Sequence, residues 1–146
     1  MTVFTKLLSS LLISFLFALV CGCGNDDYPR RYTVTGTVTF PDGEPVRTGV
    51  VEFLPKNGNL TANGNIQSDG TYSLSTIESE DGACPGEYIV VIKQFIFYDR
   101  IPEEKHSHGG DMSIEFADQK TTPLRFEVQA TKNEANFVVN YRKKDQ

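Results

Sequence analysis

Residues 32–40 read YTVTGTVTF, and this stretch decides the fold class. Tyr32, Val34, Val38 and Phe40 alternate with Thr33, Thr35, Thr37 and Thr39, with Gly36 on the apolar side. Side chains two apart share a face only in a β-strand, so the pattern predicts a half-buried strand with a solvated threonine face. Pro41-Asp42-Gly43-Glu44-Pro45 follows as a tight turn, because Gly supplies positive φ and Pro sets its own φ.

Outward from this strand the chain repeats the pattern. Val46 to Leu54 reads as the returning strand, closed by Pro55. Asn57-Gly58 and Asn63-Gly64 mark loops on either side of a short, weak segment. Asn65-Ile66-Gln67 and Thr71 to Ser75 flank Ser68-Asp69-Gly70, which predicts a hairpin. Glu78 to Pro85 is a polar loop. Tyr88 to Ile92 is apolar on both faces and predicts a central, buried strand. Residues 98–113 lack a period and carry Pro and two Gly, so they read as a long loop. Leu124, Phe126, Val128 and Ala130 then alternate with Arg125, Glu127 and Gln129. After a turn at Lys132-Asn133, Phe137, Val139 and Tyr141 form the last strand. No stretch beyond the N-terminal segment sustains a helical period. About seven short strands, with turns roughly every ten residues, predict an all-β sandwich.

Composition supports one folded domain. The chain has 146 residues, 39% hydrophobic and 23% charged, with a net charge of −5. An acidic surface excludes a nucleic-acid partner held by basic patches. Three Cys, at 21, 23 and 84, exclude a disulfide framework and a four-Cys zinc site.

The N-terminus is of a different kind. Lys6 is followed by LLSSLLISFLFALV, from Leu7 to Val20. This is shorter than the roughly 20 residues of a transmembrane helix and matches the roughly 7–15 of an export-signal core. Val20-Cys21-Gly22-Cys23 closes it, and this stretch resembles the lipobox of bacterial lipoproteins. Val20 stands at the aliphatic position and Gly22 at the small position before Cys23. Cys21 in between departs from the usual small residue. In the competing register Cys21 is the modified residue, with bulky Val20 next to the cut. The resemblance implies cleavage between Gly22 and Cys23 and a diacylglycerol thioether on Cys23, a residue suited by its nucleophilic thiolate. Several acyl chains make such an anchor effectively permanent. A plain secretory signal or an uncleaved signal anchor is the alternative. The boundaries expected are a signal peptide at 1–22, a tether at 23–31, a sandwich at 32–142 and a charged tail at 143–146.

A second resemblance concerns the domain. Val34 to Val46 has the form V-x-G-x-V-x-x-P-D-G-x-P-V, Asp69 to Leu74 an Asp-Gly turn before an aromatic strand, and Pro85-Gly86-Glu87-Tyr88 opens an apolar run. In this order the three are similar to landmarks of carboxypeptidase-regulatory-like and transthyretin-like domains, and Thr121 to Val128 fits their last part. Together with the lipobox the chain resembles small planctomycete-type lipoproteins. The resemblance implies a seven-stranded Greek-key sandwich of prealbumin type and implies no activity.

Candidate chemistry is sparse. His106 and His108, near Glu103, Glu104 and Asp111, share a side of an extended segment and could hold a divalent metal. A solvated loop is the simpler reading, and no metal or other cofactor is expected. No G-x-S-x-G elbow is present. Cys84 reads as a half-buried small residue before Pro85. Transthyretin-like hydrolases of a urate product carry a C-terminal Tyr-Arg-Gly-Ser-like motif. Tyr141-Arg142 is followed here by Lys143-Lys144, which argues against that activity. Glu78, Glu80 and Asp81 read as solvated acids. Tyr72, Tyr88, Phe95, Phe97 and Tyr98 read as core, with a sugar-binding strip as the alternative. The expectation is a non-enzymatic, membrane-anchored module of the cell envelope, facing the periplasm or the exterior, that meets an envelope protein. The alternative is a glycan- or metal-binding module using residues 98–113.

Overall fold

The structure, a computed structural model, describes residues 28–95 and 110–143. Its strands are β1 (Val34–Thr39), β2 (Gly49–Pro55), β3 (Ala62–Ile66), β4 (Thr71–Ser73), β5 (Gly86–Lys93), β6 (Arg125–Val128), β7 (Asn133–Glu134) and β8 (Phe137–Val138). One sheet has the order β4-β1-β7, with β8 also on β1, and the other has the order β3-β2-β5-β6. The chain passes from β1 in the first sheet to β2 and β3 in the second, back to β4, across again to β5 and β6, and returns with β7 and β8, and the result is the all-β sandwich expected.

β1 sits in the middle of its sheet. Val34, Val38 and Phe40 are buried and the threonines face outward. β4 runs antiparallel to β1, while β7 and β8 run parallel to it. Val34 pairs with Asn133 and Val38 with Phe137, so β7 and β8 keep one register and form a single interrupted strand. Counted that way, the strands number the seven expected.

The interruption has a definite cause. The Ala135 carbonyl lies against Gly36, so close that a Cβ on Gly36 would stand 1.8 Å from its oxygen. Tyr72, paired with Gly36 across the β1–β4 ladder, lays its ring beside the same spot. Its hydroxyl donates to the Ala135 oxygen at 2.6 Å. Tyr72 is buried, which pushes its phenol far above the usual value and keeps the donor protonated. The Thr37 amide and hydroxyl both donate instead to Asn136 Oδ1, at 2.9 and 3.0 Å.

Phe53 ties the sheets together. Its ring lies 5.6 Å from Tyr88, 5.7 Å from Phe126 and 6.1 Å from Phe137, so β2, β5, β6 and β8 meet on one aromatic cluster. β5 is central, as its two apolar faces predict. Tyr88, Val90 and Ile92 enter the core. Val91 faces the other way, cross-strand from Glu52, whose carboxylate pairs with Lys93 Nζ at 2.8 Å.

The hairpin expected at 68–70 forms: the Gln67 amide donates to the Thr71 carbonyl at 2.8 Å, and Asn63 and Ser75 exchange main-chain bonds of 2.9 and 2.8 Å. Its arms also belong to different sheets, since β3 pairs with β2 and β4 with β1, so the hairpin is the corner between them. Other expectations need correction. Asn63-Gly64 lies inside β3 rather than in a loop. Gly110 to Ser113 is not loop-like: Met112 is buried, bridges to Tyr141, and continues into a 3₁₀ turn at Ile114–Ala117 that seats Phe116 in the core. Ala130 is exposed, because the Asn133 side chain bonds the Gln129 amide, the Gln129 carbonyl and the Thr131 carbonyl and turns the chain there.

Tyr72→Phe leaves the inward Ala135 carbonyl without its donor and is expected to cost about 1–3 kcal/mol. Gly36→Ala forces the strands apart and is expected to cost at least as much. Urea unfolding checks both against exposed Thr33→Ala, expected to stay within about 0.5 kcal/mol.

Candidate functional site

The two ends of the sandwich carry the organised polar chemistry. At the first, the chain enters through Tyr28 to Tyr32. Arg31 Nε lies 2.7 Å from Asp81 Oδ2, with both side chains mostly buried. Tyr32 and Ala83 exchange main-chain bonds of 2.9 and 3.0 Å, and the Arg30 guanidinium stands 5.4 Å from the Tyr32 ring centre. Asp81 organises the loop between β4 and β5. Its carboxylate accepts the amides of Thr76, Ile77 and Glu78 at 2.7, 3.1 and 2.9 Å. Gly82 follows at φ 83, and a side chain there would collide with the Tyr32 carbonyl. Burial opposes ionisation of Asp81, but the three amides and Arg31 outweigh it and hold the carboxyl below its usual value. Asp81 is therefore a bound cap, not the solvated acid expected. The turns at 56–61 and 129–132 belong to this same end, since Lys56 bonds Glu87 and Asn133 bonds Thr33.

At the opposite end, Tyr141 stacks on Phe40 at 4.0 Å and donates its hydroxyl to Asp42 Oδ2 at 2.7 Å. The bond to Asp42 is the main reason the Tyr141 phenol is pushed up to about 12, and it lowers the Asp42 carboxyl in turn. Gln94, just past β5, donates to the Gly110 carbonyl and accepts the Met112 amide, both at 2.8 Å. One side chain thus joins the two described flanks of residues 96–109. Arg142 donates its amide to the Asp111 carbonyl at 2.7 Å, so the chain leaves from this end.

The residues singled out from the sequence are scattered. Cys21, Gly22 and Cys23, and with them the expected lipidation and cleavage positions, lie outside the described residues, as do His106, His108, Glu103, Glu104, Phe97 and Tyr98. Asp111 lies beside the Tyr141 end. Among the described residues no group of three His, Cys, Asp or Glu is placed to hold a metal ion. Tyr72 and Tyr88 point into the core and form no strip with Phe95, which is exposed after β5. Cys84 is half-buried and free. Burial pushes its thiol up, Arg31 pulls it down and Asp81 pushes it up again. A depression of about 460 Å³ opens on the outer face of the β4-β1-β7 sheet. It is lined by hydroxyls and amides such as Thr35, Thr37, Ser73 and Asn136, with Glu80 and Glu134 at its rim.

Comparison with protein-family models, curated proteins and solved structures finds no match to the chain.

A group with a depressed folded-state pKa stabilises above its unfolded value, about 3.9 for Asp, and loses that contribution as pH falls through the folded value. Asp81→Asn is expected to lower stability by roughly 2 kcal/mol at pH 7 and to flatten the decline below about pH 4, as read by urea unfolding across pH. Tyr141 has the opposite sign: its contribution is complete below about pH 10 and lost as pH rises through 12. The difference in phenolate absorbance between the native chain and Tyr141→Phe is expected to titrate near 12. Asp42→Ala is expected to bring it back toward about 10.

Proposed function

We propose that this chain is an exported bacterial lipoprotein, anchored through Cys23, whose sandwich serves as a non-catalytic structural or interaction module of the cell envelope. One observation carries the reading. Residues 28–32 are clamped to one end of the sandwich by Arg31–Asp81 and Tyr32–Ala83, while the flanks of residues 96–109 and the described residues Tyr141 and Arg142 lie at the other. A body held at one end and open at the other suits a spacer between a membrane and a partner.

The sequence supports the anchor: Lys6, the apolar run Leu7 to Val20, and Val20 and Gly22 around Cys23. The two four-stranded sheets form the kind of all-β sandwich that the resemblance to carboxypeptidase-regulatory-like and transthyretin-like domains implies. That fold fixes no chemistry, and the partner is read from location: another protein of the envelope.

The test is the intact mass of the protein extracted from membranes of its own host. The expected mass is that of residues 23–146 plus a diacylglyceryl or triacyl group, and Cys23→Ser is expected to lose the acyl mass and the membrane fraction. An unmodified chain beginning at another residue contradicts the anchor.

A further inference from the structure

We infer that the sandwich stands on the lipid surface on its tether end, with the turns at 56–61, 76–80 and 129–132 toward the headgroups and the Tyr141 end away from them. The inference rests on the anchor at Cys23 and adds which surface a partner can reach. The path from Cys23 to Tyr28 spans at most about 18 Å even when fully extended. Beyond it the chain is no longer free: Arg30 lies over Tyr32, and Arg31 is locked to Asp81 at 2.7 Å. A strand such as Gly49–Pro55 is about 20 Å long at 3.3 Å per residue. The leash is therefore no longer than the body it holds.

The surface of that end agrees with a zwitterionic or mixed headgroup layer. Tyr28 and Ile77 are 55% and 42% exposed there, a phenol and an aliphatic chain that gain from the interface. Asp81 is neutralised by Arg31, and Glu87 by Lys56 at 2.8 Å. Arg30 and Lys132 stand with Glu78 and Glu80, and Arg125 with Glu127 beside Lys56 and Glu87, so the charges around that end are mixed in sign rather than a block of acids. The surfaces left for a protein partner are the 41–45 and 67–70 turns, the Tyr141 clamp and the exposed Phe95 that follows Gln94.

The test uses the full lipoprotein, purified from host membranes and placed in phosphatidylcholine–phosphatidylglycerol vesicles that carry a headgroup acceptor dye. In a Cys84→Ser background, a donor dye is attached at Asn59→Cys on the tether end or at Ser68→Cys on the far end, both exposed turn positions. Thermal melts confirm that both variants fold. Transfer is expected to be clearly stronger from position 59, by an amount matching a separation of about 20 Å along the strands. Equal transfer, or stronger transfer from position 68, overturns the orientation while the acyl mass keeps the anchor standing. A protein with no acyl mass overturns the anchor and the orientation with it.

Discussion

The contact on which the rest of the structure depends is the Ala135 carbonyl lying against Gly36 beneath the Tyr72 hydroxyl. A buried carbonyl that leaves its ladder must find a donor, and Tyr72 supplies it. A side chain at position 36 would hold the two strands apart. The contact fixes where residues 133–139 lie along β1, and they lie parallel to it. Parallel pairing of the first and last strands sends the chain in at one end of the sandwich and out at the other. An antiparallel last strand would have brought both termini to the same end. The functional reading thus follows from a backbone contact rather than from a cluster of reactive side chains.

The end clamps follow from that arrangement. Arg31 and Asp81 fasten the entry, and Tyr141, Phe40 and Asp42 fasten the exit. They differ in kind. The entry clamp is mostly buried and uses a carboxylate already occupied by three amides. The exit clamp is exposed at Tyr141 and depends on ring stacking as much as on its hydrogen bond. In an anchored protein the entry clamp decides how freely the domain moves relative to the bilayer, because every residue it immobilises shortens the free tether.

Much of the fold was legible because period-two alternation is a local property. Val34, Val38 and Phe40 in β1, Tyr88 to Ile92 in β5, and Leu124, Phe126 and Val128 around β6 all face as their spacing predicts. Partner choice was less legible, because it is not local. Asn65 to Ser75 forms the hairpin its turn residues predict, but that its two arms join different sheets is set by β2 and β1. The 3₁₀ turn at Ile114–Ala117 is too short to show a period, and Phe116 was its only apolar signal of depth. At the ends, Asp81 looks like Glu78 and Glu80 in the sequence, and only the folded loop gives it three amides and an arginine. Arg31 reads as part of a polar tether for the same reason. Cys23 is the reverse case, a position named by local pattern alone.

The central claim is the parallel pairing of the first and last strands, and residue-resolved amide hydrogen exchange over 133–139 tests it most directly. Asn133, Ala135 and Val139 donate to the carbonyls of Thr33, Thr35 and Thr39, at 2.9, 2.8 and 2.9 Å. The amides of Glu134 and Val138 alternate with them and point away from β1. The account predicts that the first three exchange only on global unfolding, while Glu134 and Val138 exchange much faster. Uniform exchange through the stretch, or protection of Glu134 and Val138 instead, would contradict the register and remove the reason for placing the two termini at opposite ends.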